Sequence, residues 1–183
     1  MERLAFFATF AAERGLLFDD RTPNDFSVYS PDMAYRYAFA RWWATDGPLV
    51  LWVGVNPGKG DTEQRRRPTL ARCVNWSQRW GAAGLMFANL FAARHNTPDG
   101  LRDMADPVGP HNDAALAAMS AVAGRTIAAW GNDGQRRDRP AAVVGLLTDP
   151  HCLGVTVSGQ PRHPLYVAGS ASVVRWPVVR AGA

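Results

Sequence analysis

The sequence has few cysteines, few histidines and no motif that ligates a metal. Cys73 and Cys152 are the only cysteines, and neither belongs to a CxxC pair. Two sulfurs alone cannot hold an iron–sulfur cluster or a structural zinc ion, so we expect two reduced, buried thiols. The histidines show no HxH or HxxxH spacing. The sequence therefore predicts no metal site and no cofactor.

Long apolar runs are also missing. No stretch approaches the roughly 20 apolar residues that a transmembrane helix needs. The N-terminal residues 1–18 are interrupted by charges, and they lack the apolar core and small-residue cleavage site of a signal peptide. We read this stretch as a surface-docked helix that ends near Gly15. The interpretation predicts a cytoplasmic protein without a membrane partner.

Lysine occurs once, at Lys59, so the positive charge of the chain comes from arginine. The formal net charge is +4, and the isoelectric point is about 9.6. Such a balance permits nucleic-acid binding without requiring it. The arginines considered as phosphate contacts are Arg65, Arg66, Arg67, Arg94 and Arg162.

Length and composition favour one globular domain. A chain of 183 residues with 47% hydrophobic and 20% charged residues is typical of a soluble protein with a sizeable core. We expect a single domain over 1–183 that forms a monomer. Residues 1–47 supply an N-terminal helix and an aromatic-rich segment, and residues 48–170 supply the core.

Predicted strands and helices alternate after residue 48. The expected strands are Leu49–Val55, Leu85–Phe91, Thr126–Trp130 and Val155–Val157. The expected helices are Pro68–Trp80, Asn112–Val122 and about Gln135–Leu147. This alternation predicts an α/β fold, a three-layer α/β/α sandwich with a central, mostly parallel four-stranded sheet. Residues 19–31 are turn-rich, and residues 33–43 fit either a strand or a helix.

Polar residues follow several of these strands. Asn56 comes after the first strand, in the motif Gly54-Val55-Asn56-Pro57-Gly58, and Asn89 falls near the end of the second. His163 lies between two prolines, after the fourth strand. Because ligands of such sheets bind beyond the carboxyl ends of the strands, we expect these side chains to line one pocket.

An asparagine, a histidine and an amide facing one pocket suit the cleavage of an N-glycosidic bond. As that bond breaks, the base leaves as an anion and the sugar gains positive charge. A neutral histidine can stabilise the anion, and an Asn or Asp on a fixed turn can position the attacking water. A base that has left the stack also needs a tight pocket with an amide to read its edge.

The motifs resemble those of the uracil-DNA glycosylase superfamily. The stretch 54–58 is similar to its first motif, in the branch with asparagine as the water-positioning residue, and Arg162-His163-Pro164 is similar to its second. Asn89 falls where the superfamily keeps its base-reading asparagine, and 128–131 resembles a later strand that often ends in Trp-Gly. The resemblance implies catalysis by Asn56 and His163, with substrate contacts from Gly54, Pro57, Gly58 and Asn89.

A second resemblance covers nearly the whole chain. The segments 35–37, 56–57, 89–92, 106–110, 129–131 and 162–166 are similar to the bacterial family of unknown function numbered 1643. This family implies no activity of its own, so the reaction must be argued from the residues.

The chain departs from the glycosylase pattern in two places. The second motif usually reads His-Pro-Ser-Pro, whereas here Leu165 and Tyr166 follow His163-Pro164. No aromatic residue follows the first motif closely, so Tyr166, Trp130 and Phe91 are the candidates that stack on a base. Asp61 is an alternative to Asn56 as the residue that positions water.

The leading hypothesis is a monofunctional, metal-independent DNA glycosylase that excises a damaged or modified base, in repair or in defence against modified phage DNA. One alternative is hydrolysis of a free nucleoside, a nucleotide or an RNA base. A second alternative is a non-catalytic module that binds nucleic acid or nucleotides.

Overall fold

A computed structural model of the chain describes residues 2–58 and 68–177. Within these ranges, eight strands form one sheet with the order β1-β2-β3-β5-β4-β6-β7-β8. The strands are β1 (Leu17–Asp19), β2 (Asp25–Tyr29), β3 (Arg36–Trp42), β4 (Leu49–Gly54), β5 (Gly84–Asn89), β6 (Arg125–Ala128), β7 (Pro150–Cys152) and β8 (Val174–Arg175).

The sheet is mixed and has eight strands, whereas the sequence predicted a central sheet of four mostly parallel strands. The α/β class is confirmed. Strand β4 pairs in parallel with β5 and β6, and β6 pairs in parallel with β7. The other pairings, which add β1, β2 and β3 beside β5 and β8 beside β7, are antiparallel. The aromatic-rich segment therefore extends the sheet instead of standing apart from the core.

The predicted strand over residues 155–157 is wrong. Val155 makes only an isolated bridge with Pro161, because the chain reverses within a tight turn in which the Gly159 N–H donates to the Thr156 carbonyl. The strand beside β6 is instead β7, at Pro150–Cys152. Its first residue is a proline, a position that proline tolerates because its missing N–H is not needed inside the strand.

The helices are α1 (Glu2–Ala12), α2 (Pro68–Arg79), α3 (Asn112–Val122) and α4 (Arg139–Val144). The bounds of α3 are those predicted. The helix expected over 135–147 is shorter, since a 3-10 helix over Asn132–Asp138 precedes α4. Asp138 takes a left-handed conformation at the junction, with φ of 52°, and this interrupts the helical backbone.

Helices cover both faces of the sheet, as the alternation of side chains along β4 requires. Leu49, Leu51 and Val53 of β4 belong to a core cluster that also holds residues of α1, α3 and α4. Val50 and Trp52 face the other way, into a cluster with residues of α2. Because β4 is buried on both faces, its sequence is a continuous apolar run. None of the described helices has the length and apolar character needed to cross a lipid bilayer.

Candidate active site

A cavity of about 900 Å³ opens at the carboxyl ends of β4 and β5. The predicted site residues that line it are Gly54, Asn56, Gly58, Asn89, Trp130, Arg162, His163 and Tyr166. These residues come from segments that are far apart in the sequence. The parallel pairing of β4 with β5 and β6 brings the segments together, because it places the ends of these strands at one edge of the sheet.

Asn56 is held by its amide nitrogen. The Nδ2 atom donates to the backbone oxygen of His95 at 2.7 Å and to that of Pro57 at 3.3 Å. Since both partners are acceptors, they fix which end of the amide is nitrogen. The side-chain oxygen must then lie on the opposite side of the amide, where it can accept a hydrogen bond from a water molecule in the pocket.

Asn89 is the last residue of β5 and directly opposes Gly54 of β4. Its residue exposure is only 6%. Among the described residues, no hydrogen bond to its side-chain amide is present. A Cβ atom on residue 54 would lie 2.9 Å from Asn89 Oδ1. Glycine at position 54 avoids this close contact with the amide. The amide lines the cavity instead of being sealed in the core, so a ligand in the cavity can pair with it.

His163 caps a 3-10 helix over Pro164–Tyr166, where its Nδ1 accepts the Leu165 N–H at 3.4 Å. This acceptor role places the proton of the neutral ring on Nε2. Burial lowers the pKa of His163 below its ordinary value of 6.5, and the nearby Asp133 carboxylate opposes the shift. At neutral pH the ring is therefore uncharged, with an N–H donor on the side away from its own turn.

The turn after β6 supports the loop over residues 161–164 that carries His163, called the histidine loop below. Gly131 adopts φ of +66° and donates its N–H to the Pro161 carbonyl at 2.8 Å. A Cβ atom at this position would come within 3.2 Å of His163 Cβ, so glycine satisfies both the backbone conformation and the close approach. The same turn carries Asp133, which lines the cavity and was not among the predicted site residues.

Two phenylalanines on the cavity wall were also missed. Phe39 of β3 and Phe87 of β5 are direct partners in the sheet, and both line the cavity. The spacing of Phe87 and Asn89 was a readable signal, because residues two apart in a strand share a face. The position of Phe39 at the cavity depends on the pairing of β3 with β5. No local sequence pattern predicts this pairing. Arg36, buried beside the Phe39 ring at 5.6 Å, also lines the cavity.

Of the aromatic residues predicted to stack on a base, Trp130 and Tyr166 reach the cavity. Trp130 is buried, and its indole N–H donates to Gln160 Oε1 at 2.9 Å. Tyr166 is 82% exposed, with its ring centre 5.6 Å from that of His163. Phe91 is buried in the core and does not line the cavity.

The remaining predicted residues lie elsewhere. Pro57 is buried next to Asn56 and does not line the cavity, and its carbonyl accepts the Asn56 amide N–H. Arg94 donates to the Met33 carbonyl at 2.9 Å and lies over the Tyr29 ring, away from the cavity lining. The predictions for Asp61, Arg65, Arg66 and Arg67 lie outside the described residues.

Metal ligands do not assemble in the part of the chain that the structure describes. Within residues 2–58 and 68–177, no three His, Cys, Asp or Glu side chains come together as a candidate metal site. Burial raises the pKa of both thiols, Cys73 most strongly, so both are poor sources of the thiolate that binds metals.

The chain is thus an α/β protein whose cavity, at the carboxyl ends of parallel strands, is lined by asparagine and histidine side chains. Residues 36–165 match the family described as "Protein of unknown function (DUF1643)". The match spans more than half of the chain, so the protein belongs to this family. No curated protein and no solved structure matches the chain.

Proposed function

We propose that the protein is a metal-independent DNA glycosylase that hydrolyses the N-glycosidic bond of a damaged or modified base, on a fold related to the uracil-DNA glycosylases. One observation carries the proposal. Asn56, Asn89 and His163 reach a single cavity from three separate segments of the chain. Their chemistry matches the needs of this reaction, with an acceptor for water, an amide for the base and a donor for the leaving anion.

The base binds between the phenylalanine wall and the Asn89 amide. Phe39 and Phe87 offer apolar surface for the flat faces of a heterocycle. The Asn89 amide presents one acceptor and two donors, which pair with the edge of a base that has left the stack. Because no described residue pairs with this amide, a base with a matching edge is a better occupant than an apolar group.

Hydrolysis then breaks the bond between the anomeric sugar carbon and the base nitrogen. Both bonding electrons leave with the base, whose carbonyl oxygen takes up negative charge and accepts the Nε2–H of His163. Asn56 Oδ1 holds a water molecule whose oxygen forms the new bond to the sugar carbon. The proton released from that water passes to solvent or to the departing base. Neutral His163 suits this role because it donates without having to be charged first.

The test is base release from labelled DNA. Purified protein in stoichiometric excess is incubated with oligonucleotides that carry uracil, mismatched, deaminated, alkylated or bulky modified bases, and alkali converts abasic sites into strand breaks. We expect breaks at one class of base, reduced about 100-fold or more in Asn56→Ala and His163→Ala. His151→Ala is the matched control, because His151 lies on β7 and does not line the cavity.

Two outcomes contradict the proposal. Breaks that persist in both variants would place the chemistry elsewhere. Release of base from a free nucleoside, with none from any oligonucleotide, would retain the hydrolysis and overturn the nucleic-acid substrate.

A further inference from the structure

A second pocket lies on the flank of α2, apart from the main cavity, and is called the α2 pocket below. Its volume is about 330 Å³, and it is lined by Arg72, Asn75, Trp76, Gln78, Arg79 and Gly169. All of these residues except Gly169 belong to α2, and Gly169 follows the histidine loop in the sequence. None of them lines the main cavity.

Two segments of the chain lead from the main cavity to the α2 pocket. The first turn of α2 and Tyr166 line the main cavity, and α2 packs against the 3-10 helix that holds Tyr166. Further along, Arg72 donates to the Val167 carbonyl. Arg79, the last residue of α2, donates to the Gly169 carbonyl at 2.9 Å. A strand that leaves the cavity along these segments therefore meets the α2 pocket.

Acidic residues are missing from both segments. No aspartate or glutamate occurs in residues 64–98 or in residues 150–183. Arg72 and Arg79 contact backbone carbonyls, and the Arg79 guanidinium also lies over the Trp76 ring at 4.0 Å. Because no carboxylate of a described residue pairs with either arginine, their charge attracts an anion from outside the protein.

The two arginines are positioned before any ligand binds. They lie seven residues apart on α2, which is about 10 Å along the helix axis and nearly two full turns, so they project from one face. A guanidinium has five N–H donors, and a bond to one carbonyl leaves others for phosphate oxygens. Because the carbonyls already hold both side chains, binding costs little further side-chain entropy.

The neutral side chains along this path indicate a single strand instead of a duplex. Tyr166 is 82% exposed at the mouth of the cavity, where its ring can stack on an unpaired base. Asn75 and Gln78 are exposed on the flank of α2, and their amides can pair with base edges that no partner strand covers. In a duplex, the base faces are stacked and the pairing edges are occupied.

We propose that the α2 pocket binds backbone phosphates of a single strand that continues from the nucleotide held in the main cavity. The inference rests on the proposed function, since it takes the occupant of the cavity to be a nucleotide within a strand. Arg72 and Arg79 neutralise phosphates, and Tyr166 stacks on a base between them and the cavity. The α2 pocket adds affinity for unpaired DNA and takes no part in the chemistry.

The experiment measures binding of labelled oligothymidylates by fluorescence anisotropy at several salt concentrations. The short probe has about 4 nucleotides and the long probe about 12, which brackets the length that reaches the α2 pocket. A duplex of the long probe with its complement is the third ligand. We expect the wild-type protein to bind the long single strand more tightly than the short one and more tightly than the duplex.

Arg72→Gln and Arg79→Gln should each lower affinity for the long strand about tenfold, because each removes a charged hydrogen bond to phosphate. The dependence of log K on log salt should become shallower by about 0.7, the value for one phosphate contact on a single strand. Affinity for the short probe should stay the same.

The matched control is Arg14→Gln. Arg14 lies over the Phe10 ring at 4.1 Å and donates to the Phe10 carbonyl at 3.2 Å, so its charge and contacts resemble those of Arg79. It follows α1, which packs on the opposite face of the sheet from α2, and its replacement should leave all affinities unchanged. Since Arg79 is exposed, Arg79→Gln should keep the melting temperature, and it decides the test even if Arg72→Gln fails to fold.

The outcomes separate the α2 pocket from the proposed reaction. Base excision by an Arg79→Gln protein that binds the long strand as tightly as wild type would overturn the α2 pocket and retain the glycosylase. Weaker binding of the long strand in Arg79→Gln, without excision of any base by the wild-type protein, would support the pocket and overturn the reaction. Tighter binding of the duplex than of the single strand, equal losses for the short and long probes, or no binding of any probe would overturn the inference.

Discussion

The two faces of the sheet each bury an asparagine, and the two are used in opposite ways. Asn112, at the start of α3, donates its amide N–H groups to the carbonyls of Asn89 and Leu90, both at 3.0 Å. These two bonds hold the chain where β5 ends. The Asn89 amide, on the other face, has no partner among the described residues. One buried asparagine secures the backbone, and the other presents its side chain to the cavity.

The comparison separates burial for stability from burial for binding. Both Asn112 N–H groups are spent on the backbone, and its Oδ1 is sealed in the core without a partner, whereas the Asn89 amide lines the cavity, where a ligand can pair with it. Asn112 anchors the very residue whose side chain is unpaired. The backbone of Asn89 is thus fixed from behind while its amide remains available in front, which is the arrangement that a binding site requires.

The largest effect is expected from removing the Asn89 amide, the asparagine that faces the cavity. Asn89→Leu removes the amide while keeping its volume, and under the proposed function we expect base excision to fall about 100-fold. The free energy of unfolding should change little, because the Asn89 amide lines the cavity and has no hydrogen bond to lose among the described residues. Single-turnover excision and urea denaturation measure the two effects. A loss of stability in Asn89→Leu would show that the amide has a structural role.

Asn112→Ala removes the other asparagine, the one that holds the backbone at the end of β5. The variant loses two hydrogen bonds to buried carbonyls, and we expect the free energy of unfolding to fall by about 2 kcal/mol. Thermal denaturation followed by circular dichroism measures this loss. Asn75→Ala is the matched control, since Asn75 is exposed on α2. An unchanged melting temperature in Asn112→Ala would mean that β5 is held in place by packing alone.

The smallest expected effect concerns the protonation of His163. Because burial lowers its pKa below 6.5 in the folded state, the native protein binds fewer protons there than the unfolded chain does. Stability should therefore fall as the pH drops from 6.5 through the native pKa. Under the proposed function, excision should fall over the same range, because a protonated Nδ1 can no longer accept the Leu165 N–H that orients the ring. NMR titration of the imidazole ring measures the pKa directly.

Asp133→Asn sharpens this prediction. The carboxylate opposes the effect of burial, so its removal should lower the pKa of His163 further and move the acid limb of the excision profile to lower pH. An acid limb that stays in place in Asp133→Asn would show that another group governs the pH dependence.

The parts of the fold that local patterns encode were predictable. The continuous apolar run of β4 indicated a strand buried on both faces, and the alanine-rich stretch closed by Gly124 gave the bounds of α3. The convergence of Asn56, Asn89 and His163 followed from a general rule, since ligands of parallel sheets bind at the carboxyl ends of strands. That rule needs the order of the elements and no knowledge of side-chain contacts.

The parts that depend on long-range pairing were not predictable. Strand β2 lies in a turn-rich stretch and exists because it pairs with β3. Strand β7 has three residues and exists because it pairs with β6. Phe39 reaches the cavity only because β3 pairs with β5 in the observed register. Such pairings join residues distant in sequence, and a local pattern carries no information about them.

The position of His163 in the sequence has a consequence for protein synthesis. Asn56 and His163 lie more than a hundred residues apart, and the histidine loop is held by the turn after β6 and by Trp176 through the neighbouring turn. A chain still growing on the ribosome has both asparagines long before it has the histidine and the segment that braces it. Under the proposed function, a chain that stops before residue 163 therefore lacks the group that stabilises the leaving base, even when both asparagines are present.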